Sequence, residues 1–163
     1  MSVPPAGERA RTAVPPQALP AEELPADALP AGEFDRRDLV ELRLPADSAY
    51  LAVVRTATAG LAARLDFTLD EIEDLRIAVD EGCTVLLRQA SPGADLVATF
   101  APGDAALTVQ LAVLTTQARL PDRDSLAWQV LTALAGELDA GTTPGPDGQS
   151  HIWLRLHKQR EQQ

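Results

Sequence analysis

The run Leu69-Asp-Glu-Ile-Glu-Asp-Leu-Arg-Ile-Ala-Val-Asp-Glu-Gly-Cys-Thr-Val-Leu-Leu-Arg-Gln-Ala90 has less conformational freedom than any other part of this 163-residue chain. Ile72, Leu75, Val79, Cys83 and Leu86 recur at steps of three and four, which predicts one long helix with a stripe facing a core. Thr68 is a good N-cap, and Glu71 three residues later completes a capping-box pattern. Asp70, Glu71, Glu73 and Asp74 crowd the first turns, where the helix dipole favours negative charge. Ser91-Pro92-Gly93 stops the helix. A second stripe holds Ile77, Ala78, Glu81, Val85 and Arg88, with Glu81 and Val85 four apart on one side. Any chemistry this helix carries depends on those two positions.

The rest of the chain is read around that helix. Residues 1–37 hold seven of the 13 prolines, and a Leu-Pro-Ala beat recurs at 19–21, 24–26 and 29–31. Each proline fixes φ and removes a backbone donor, so the segment is expected to be a disordered tail with polyproline II character. Leu39–Leu44 alternates and predicts a strand. Asp47 or Ser48 can cap a first helix to about Leu65, with Leu51, Val54, Ala57, Thr58, Leu61 and Leu65 on one side and Arg55 off that stripe. Gly60 inside it is expected to mark close packing. Residues 94–101 and 106–114 predict a hairpin with a turn longer than two residues. Asp124 or Ser125 can cap a third helix bearing Leu126, Val130, Leu131, Leu134 and Leu138, with Gly141 as its C-cap. Residues 142–149 then read as a loop, His151–Leu156 as the last strand, and the chain from 159 as a polar tail. The order β-α-α-β-β-α-β predicts one α+β domain over 38–158. It is a two-layer sandwich, with an antiparallel-rich mixed sheet and helices on one face.

Composition narrows the function. Net charge is −10 with pI near 4.5, which argues against a nucleic-acid partner. Hydrophobic residues make up 45% but aromatic ones only 4%, so the core is built from Leu, Val, Ala and Ile, with Trp128 and Trp153 expected inside it. A single cysteine, Cys83, fits a reducing compartment and reads as a small core residue. His151 and His157 form no metal constellation with it. No apolar run is long enough for a membrane span, and the first residues lack a signal pattern, so a cytoplasmic protein is expected.

The run Asp74–Ala90 resembles the N-box helix of the RsbW/SpoIIAB-type anti-sigma factors in the GHKL ATPase/kinase superfamily, whose pattern is close to A-V-x-E-A-x-T-N-A-x-x-H. The first helix with Arg55, the stretch Leu65–Glu71, and Ser125–Ala135 in place of the second glycine box are similar too. The resemblance covers about residues 38–158 and is nearest to the actinobacterial antagonists of stress and sporulation sigma factors. It implies a GHKL/Bergerat-like fold and partner switching. In active members the N-box glutamate acts as base or orients the attacking hydroxyl, and the asparagine four residues on reaches Mg²⁺. An Asp-x-Gly-x-Gly segment reads adenine, and phosphate passes to a Ser or Thr of a STAS-domain anti-anti-sigma factor.

This chain departs from that pattern at specific positions. Glu81 matches the glutamate and is the one candidate catalytic residue. Val85 replaces the asparagine and offers no oxygen to a hard cation. Gln89 stands where histidine is common, and 114–119 lacks both the aspartate and the glycines. No residue is therefore assigned to a cofactor or metal; ATP with Mg²⁺ follows from the resemblance alone. Arg55 matches an arginine that contacts the sigma factor, though spacing alone also allows a solvated helix residue. The expectation is an anti-sigma factor that binds an alternative sigma factor and is released by a STAS antagonist, and that pairs as a homodimer. The alternatives are an active ATP-dependent serine/threonine kinase and an adaptor of the same fold.

Overall fold

The computed structural model describes residues 38–162, so the expected tail over 1–37 lies outside the described residues. Strand β1 spans Val40–Pro45, helix α1 Leu51–Arg64, helix α2 Leu69–Leu87, strands β2 Asp95–Pro102 and β3 Ala106–Thr115, helix α3 Leu126–Ala135, and strands β4 Glu137–Pro144 and β5 Ser150–Gln159. The strands make one sheet in the order β1-β2-β3-β5-β4. All four pairings are antiparallel, so the sheet is not mixed as expected. β2–β3 and β4–β5 are joined directly, β1 and β2 are joined through α1 and α2, and α3 carries the chain from β3 to β4, which runs in the same direction as β3 on the far side of β5. The fold is α+β, with the three helices packed on one sheet face.

The period-two pattern of the strands supplies the sheet side of the core. Leu96, Ala98 and Phe100, then Leu107, Val109, Leu111 and Val113, then Ile152, Leu154 and Leu156 all point inward and are buried. Leu75, Val79, Cys83 and Leu86 of α2 meet them, and Val54 and Ala62 of α1 close one side. Ala78 is also fully buried, so it belongs to the core stripe and not to the stripe of Glu81. Gly82 lies against the sheet, where a Cβ would come within 3.1 Å of Leu111 Cδ1. Gly60 is not a site of close packing: a Cβ there would meet nothing within 4 Å.

The third helix ends earlier than expected. Ser125 Oγ accepts from Trp128 N at its start, and Gly136, at φ 88°, is its C-cap instead of Gly141. A glycine reaches that backbone conformation without a steric penalty, and the chain then turns directly into β4. Residues 137–144 are thus an edge strand rather than a helix end and loop. The alternation of Leu138, Ala140 and Thr142 with Asp139, Gly141 and Thr143 carries it. The last strand likewise runs three residues past Leu156, to Gln159. Trp128 is core, but Trp153 is on the sheet face away from the helices. It lies flat over Gly141, where a Cβ would clash with the indole ring.

The residues after β5 are not an unattached tail. Glu161 N–H donates to Glu71 Oε1 at 2.6 Å, and Arg160 donates to the Leu65 carbonyl at 3.1 Å. They close over the turn between α1 and α2, where Asp66 takes a left-handed φ of 61°.

Candidate functional site

Helix α2 begins with the expected capping box. Glu71 N–H donates to Thr68 Oγ1, while Glu71 Oε2 accepts from Thr68 N at 2.6 Å and from its hydroxyl at 2.9 Å. With Glu161 on its other oxygen, Glu71 is only 4% exposed yet fully hydrogen-bonded. Burial alone would raise its pKa, but the bonds from Glu161 and Thr68, aided by Lys158, hold it below the ordinary carboxylate value. Lys158 also donates to the Leu134 carbonyl at the end of α3, so one short segment of β5 ties two helices down.

Just past the middle of α2 the helix pairs with α1. Arg55 Nη1 donates to Asp80 Oδ1 at 2.5 Å, with both side chains about one-third exposed. Arg55 is therefore neither a loose surface cation nor a buried one. Asp80 holds its guanidinium in place and leaves one side open to a partner. No spacing rule in the sequence links residues 25 apart, so Asp80 was not legible as its partner. Tyr50 just before α1, Val53 of α1 and Ile77 of α2 are 41–46% exposed.

Glu81 is exposed and takes no hydrogen bond or ion pair among the described residues. Thr84, three residues on, gives its hydroxyl to the Asp80 carbonyl at 3.0 Å. Val85 presents only methyl groups to a hollow of about 490 Å³ between the end of α2 and the loop after β3. Arg88, Gln89, Thr115, Thr116, Gln117 and Arg119 line the rest of it. Gln89 bridges this hollow. Its side-chain oxygen accepts from Arg119 N at 2.9 Å and its amide nitrogen donates to Arg119 O at 3.1 Å. The amide thus imitates a strand neighbour and clamps the loop that stands in the place of the adenine-reading segment. The sequence shows the lost glycines but not this clamp, because the two partners are 30 residues apart.

These side chains do not fit a magnesium-bound triphosphate. A hard cation wants several convergent oxygens, and Val85 supplies none. Among the described residues no group of three His, Cys, Asp or Glu converges on a metal position. Where glycines would let the backbone approach a phosphate, Gln117, Ala118 and Arg119 carry side chains. Cys83 is no nucleophile either: burial, then the nearby Asp80 charge, pushes its thiol up to about 12, with Arg55 opposing. Among the described residues no helix is long and apolar enough to cross a membrane.

No protein-family model matches the chain. It is 41% identical over 58 residues, 36% of each protein, to the serine-protein kinase RsbW of Bacillus pumilus. Over 53 residues it is 43% identical to the serine-protein kinase RsbW of Bacillus velezensis, covering 32% of this chain and 33% of that protein. The chain thus spans about a third of the length of these curated relatives. A chain of the SiaB–SiaC complex from Pseudomonas aeruginosa superimposes with a TM-score of 0.60 at 15% identity, covering 75% of this chain and 92% of that one. At that identity the likeness shows a common fold.

Proposed function

We propose that this chain, a relative of the RsbW serine-protein kinases over a third of its length, is an anti-sigma factor that works by binding. The observation that carries the reading is a division within one helix. The surface shared by α1 and α2 is kept in order, with Arg55 positioned by Asp80. The part of α2 that would face a nucleotide ends in Val85 and a clamped loop. Arg55 would meet a carboxylate of an alternative sigma factor, and Ile77, one turn before Asp80 on α2, would supply apolar contact beside it. A preordered guanidinium on an exposed helix face is a usual component of an interface hot spot. Release would come from a STAS-domain anti-anti-sigma factor competing for an overlapping surface, and the protein would act as a homodimer.

Co-purification with the alternative sigma factors of the same genome tests this. A stable complex that forms without nucleotide supports it; failure to bind any of them overturns it. A second reading, an ATP-dependent serine/threonine kinase acting on the STAS partner, draws support from Glu81 and from the name of the relatives. Radiolabel transfer from ATP to a STAS protein would establish that reading, and no transfer together with no calorimetric heat from Mg–ATP would end it.

A further inference from the structure

Two arginines beside Val85 differ from most cations of the described residues. Arg43, Arg55, Arg76, Arg123, Lys158 and Arg160 each face a carboxylate. Arg88 and Arg119 are exposed, and their guanidiniums take no ion pair or hydrogen bond among the described residues. Both line the hollow of about 490 Å³ at the end of α2, and no acid lines it with them. In a chain of net charge −10, a concave site with two such guanidiniums and no carboxylate is a local reversal of sign. Val85 and Ala90 give the hollow an apolar wall, and Leu120, next to Arg119 in the chain, is 53% exposed. The two arginines come from different elements, the end of α2 and the loop after β3. The Gln89 amide, bonded to both backbone groups of Arg119, holds those elements in fixed relation. The arginines are therefore mounted on a fixed frame before a ligand arrives.

We propose that this hollow receives an acidic segment of a protein partner, with carboxylates on Arg88 and Arg119 and an apolar side chain against Val85 and Ala90. A guanidinium and a carboxylate match as a two-pronged fork, so each arginine can seat one acid. Phosphate is the poorer occupant for three reasons. A phosphate cradle is built from free backbone N–H groups, and the loop has used two of its own: Gln117 N donates to Thr115 Oγ1 at 3.2 Å and Arg119 N to Gln89 Oε1 at 2.9 Å. The hollow lies at the C-terminal end of α2, whose dipole opposes a multiply charged ion more than single carboxylates, each on its own guanidinium. A free anion would also leave Val85, Ala90 and Leu120 in water, whereas a peptide covers them. A second copy of this chain is the weaker partner, because at −10 each the two would repel. This docking point is separate from the Arg55–Asp80 pair and does not depend on what that pair binds.

The test titrates the full ¹⁵N-labelled chain with a blocked Glu-Leu-Leu-Glu peptide, its Gln-Leu-Leu-Gln counterpart, inorganic phosphate and Mg–ATP. The Gln89 side-chain amide and the Arg119 backbone amide are the reporters, because both lie in the clamp at the hollow. The acidic peptide should shift these signals, and added salt should weaken its binding. Arg88→Gln and Arg119→Gln should each weaken it at least about fivefold, as the loss of one charge-assisted contact. Arg64→Gln, an exposed arginine at the other end of the helix pair, should change nothing. The Gln peptide, phosphate and Mg–ATP should all bind more weakly than the acidic peptide. No shift with the acidic peptide, equal binding of the Gln peptide, or indifference to both arginine variants would overturn the proposal. Tighter binding of phosphate or Mg–ATP would overturn it too, and would assign the hollow to a phosphate ligand. Failure to find a sigma-factor complex would leave this result standing, and a complex gripped through Arg55 would not rescue it.

Discussion

The two ends of helix α2 hold their neighbours by different means. At its start, Glu71 is a buried carboxylate that accepts three hydrogen bonds from Thr68 and Glu161 and joins the α1–α2 turn to the end of β5. At its finish, Gln89 is a neutral amide near the surface that exchanges two bonds with one backbone unit, Arg119. Charge-assisted bonds in a water-poor setting are worth about twice neutral ones at the surface. The start therefore stabilises the fold, while the finish fixes where one loop sits. The lesson concerns function. The residues of α2 that build the domain and position Arg55 are fully furnished, and the outward positions near its end, which would handle a nucleotide, are furnished to hold a loop.

The comparison is broken most easily at its strong end. Glu71→Ala should cost about 2–4 kcal/mol, a lost cap plus N–H groups left without acceptors. Urea denaturation checks it, against Glu81→Ala, which should stay within about 0.5 kcal/mol as an exposed substitution. Comparable losses at the two positions would erase the distinction. Acid sharpens the same point. Because the folded state lowers the Glu71 pKa, its stabilisation is complete above the ordinary glutamate range. That stabilisation drains away as pH falls through the lowered value. The drop in urea midpoint on acidification should be smaller in Glu71→Gln than in the parent chain.

At the weak end, Gln89→Ala should cost only about 0.5–1.5 kcal/mol. It should markedly speed hydrogen exchange at the Arg119 amide and leave the Thr68 and Glu161 amides protected. Val85→Asn should change stability little and still give no calorimetric heat with Mg–ATP, because the clamped loop remains. The smallest effect has the opposite sign. Gly60 is an exposed helix-interior glycine with open space around it, so Gly60→Ala should add about 0.5–1 kcal/mol.

What could be read from the sequence followed the range of the interactions. The capping box, the core stripe of α2 and the β2–β3 hairpin rest on neighbours within a few residues, and each is where periodicity and capping rules place it. The end of α3 is hidden in the sequence because Leu134 and Leu138 keep a helical step across Gly136, while the alternation of 137–144 is faint without its partner β5. The position of Trp153 outside the core is not legible because size and hydrophobicity do not reveal which sheet face a residue takes; one residue of register decides that. Arg55–Asp80, Gln89–Arg119 and Glu71–Glu161 join residues 25, 30 and 90 apart, and no local pattern encodes them. At the site, the sequence marked what is missing at Val85 and the absent glycines. The structure added what stands there instead.

The central claim is that the helix pair grips a protein without a nucleotide, and titration calorimetry of the purified chain against its co-purifying sigma factor tests it directly. We expect binding in nucleotide-free buffer, unchanged by Mg–ATP, and weakened at least about tenfold, or 1.4 kcal/mol, by Arg55→Ala. Binding that needs Mg–ATP, or that ignores Arg55→Ala, would contradict the account.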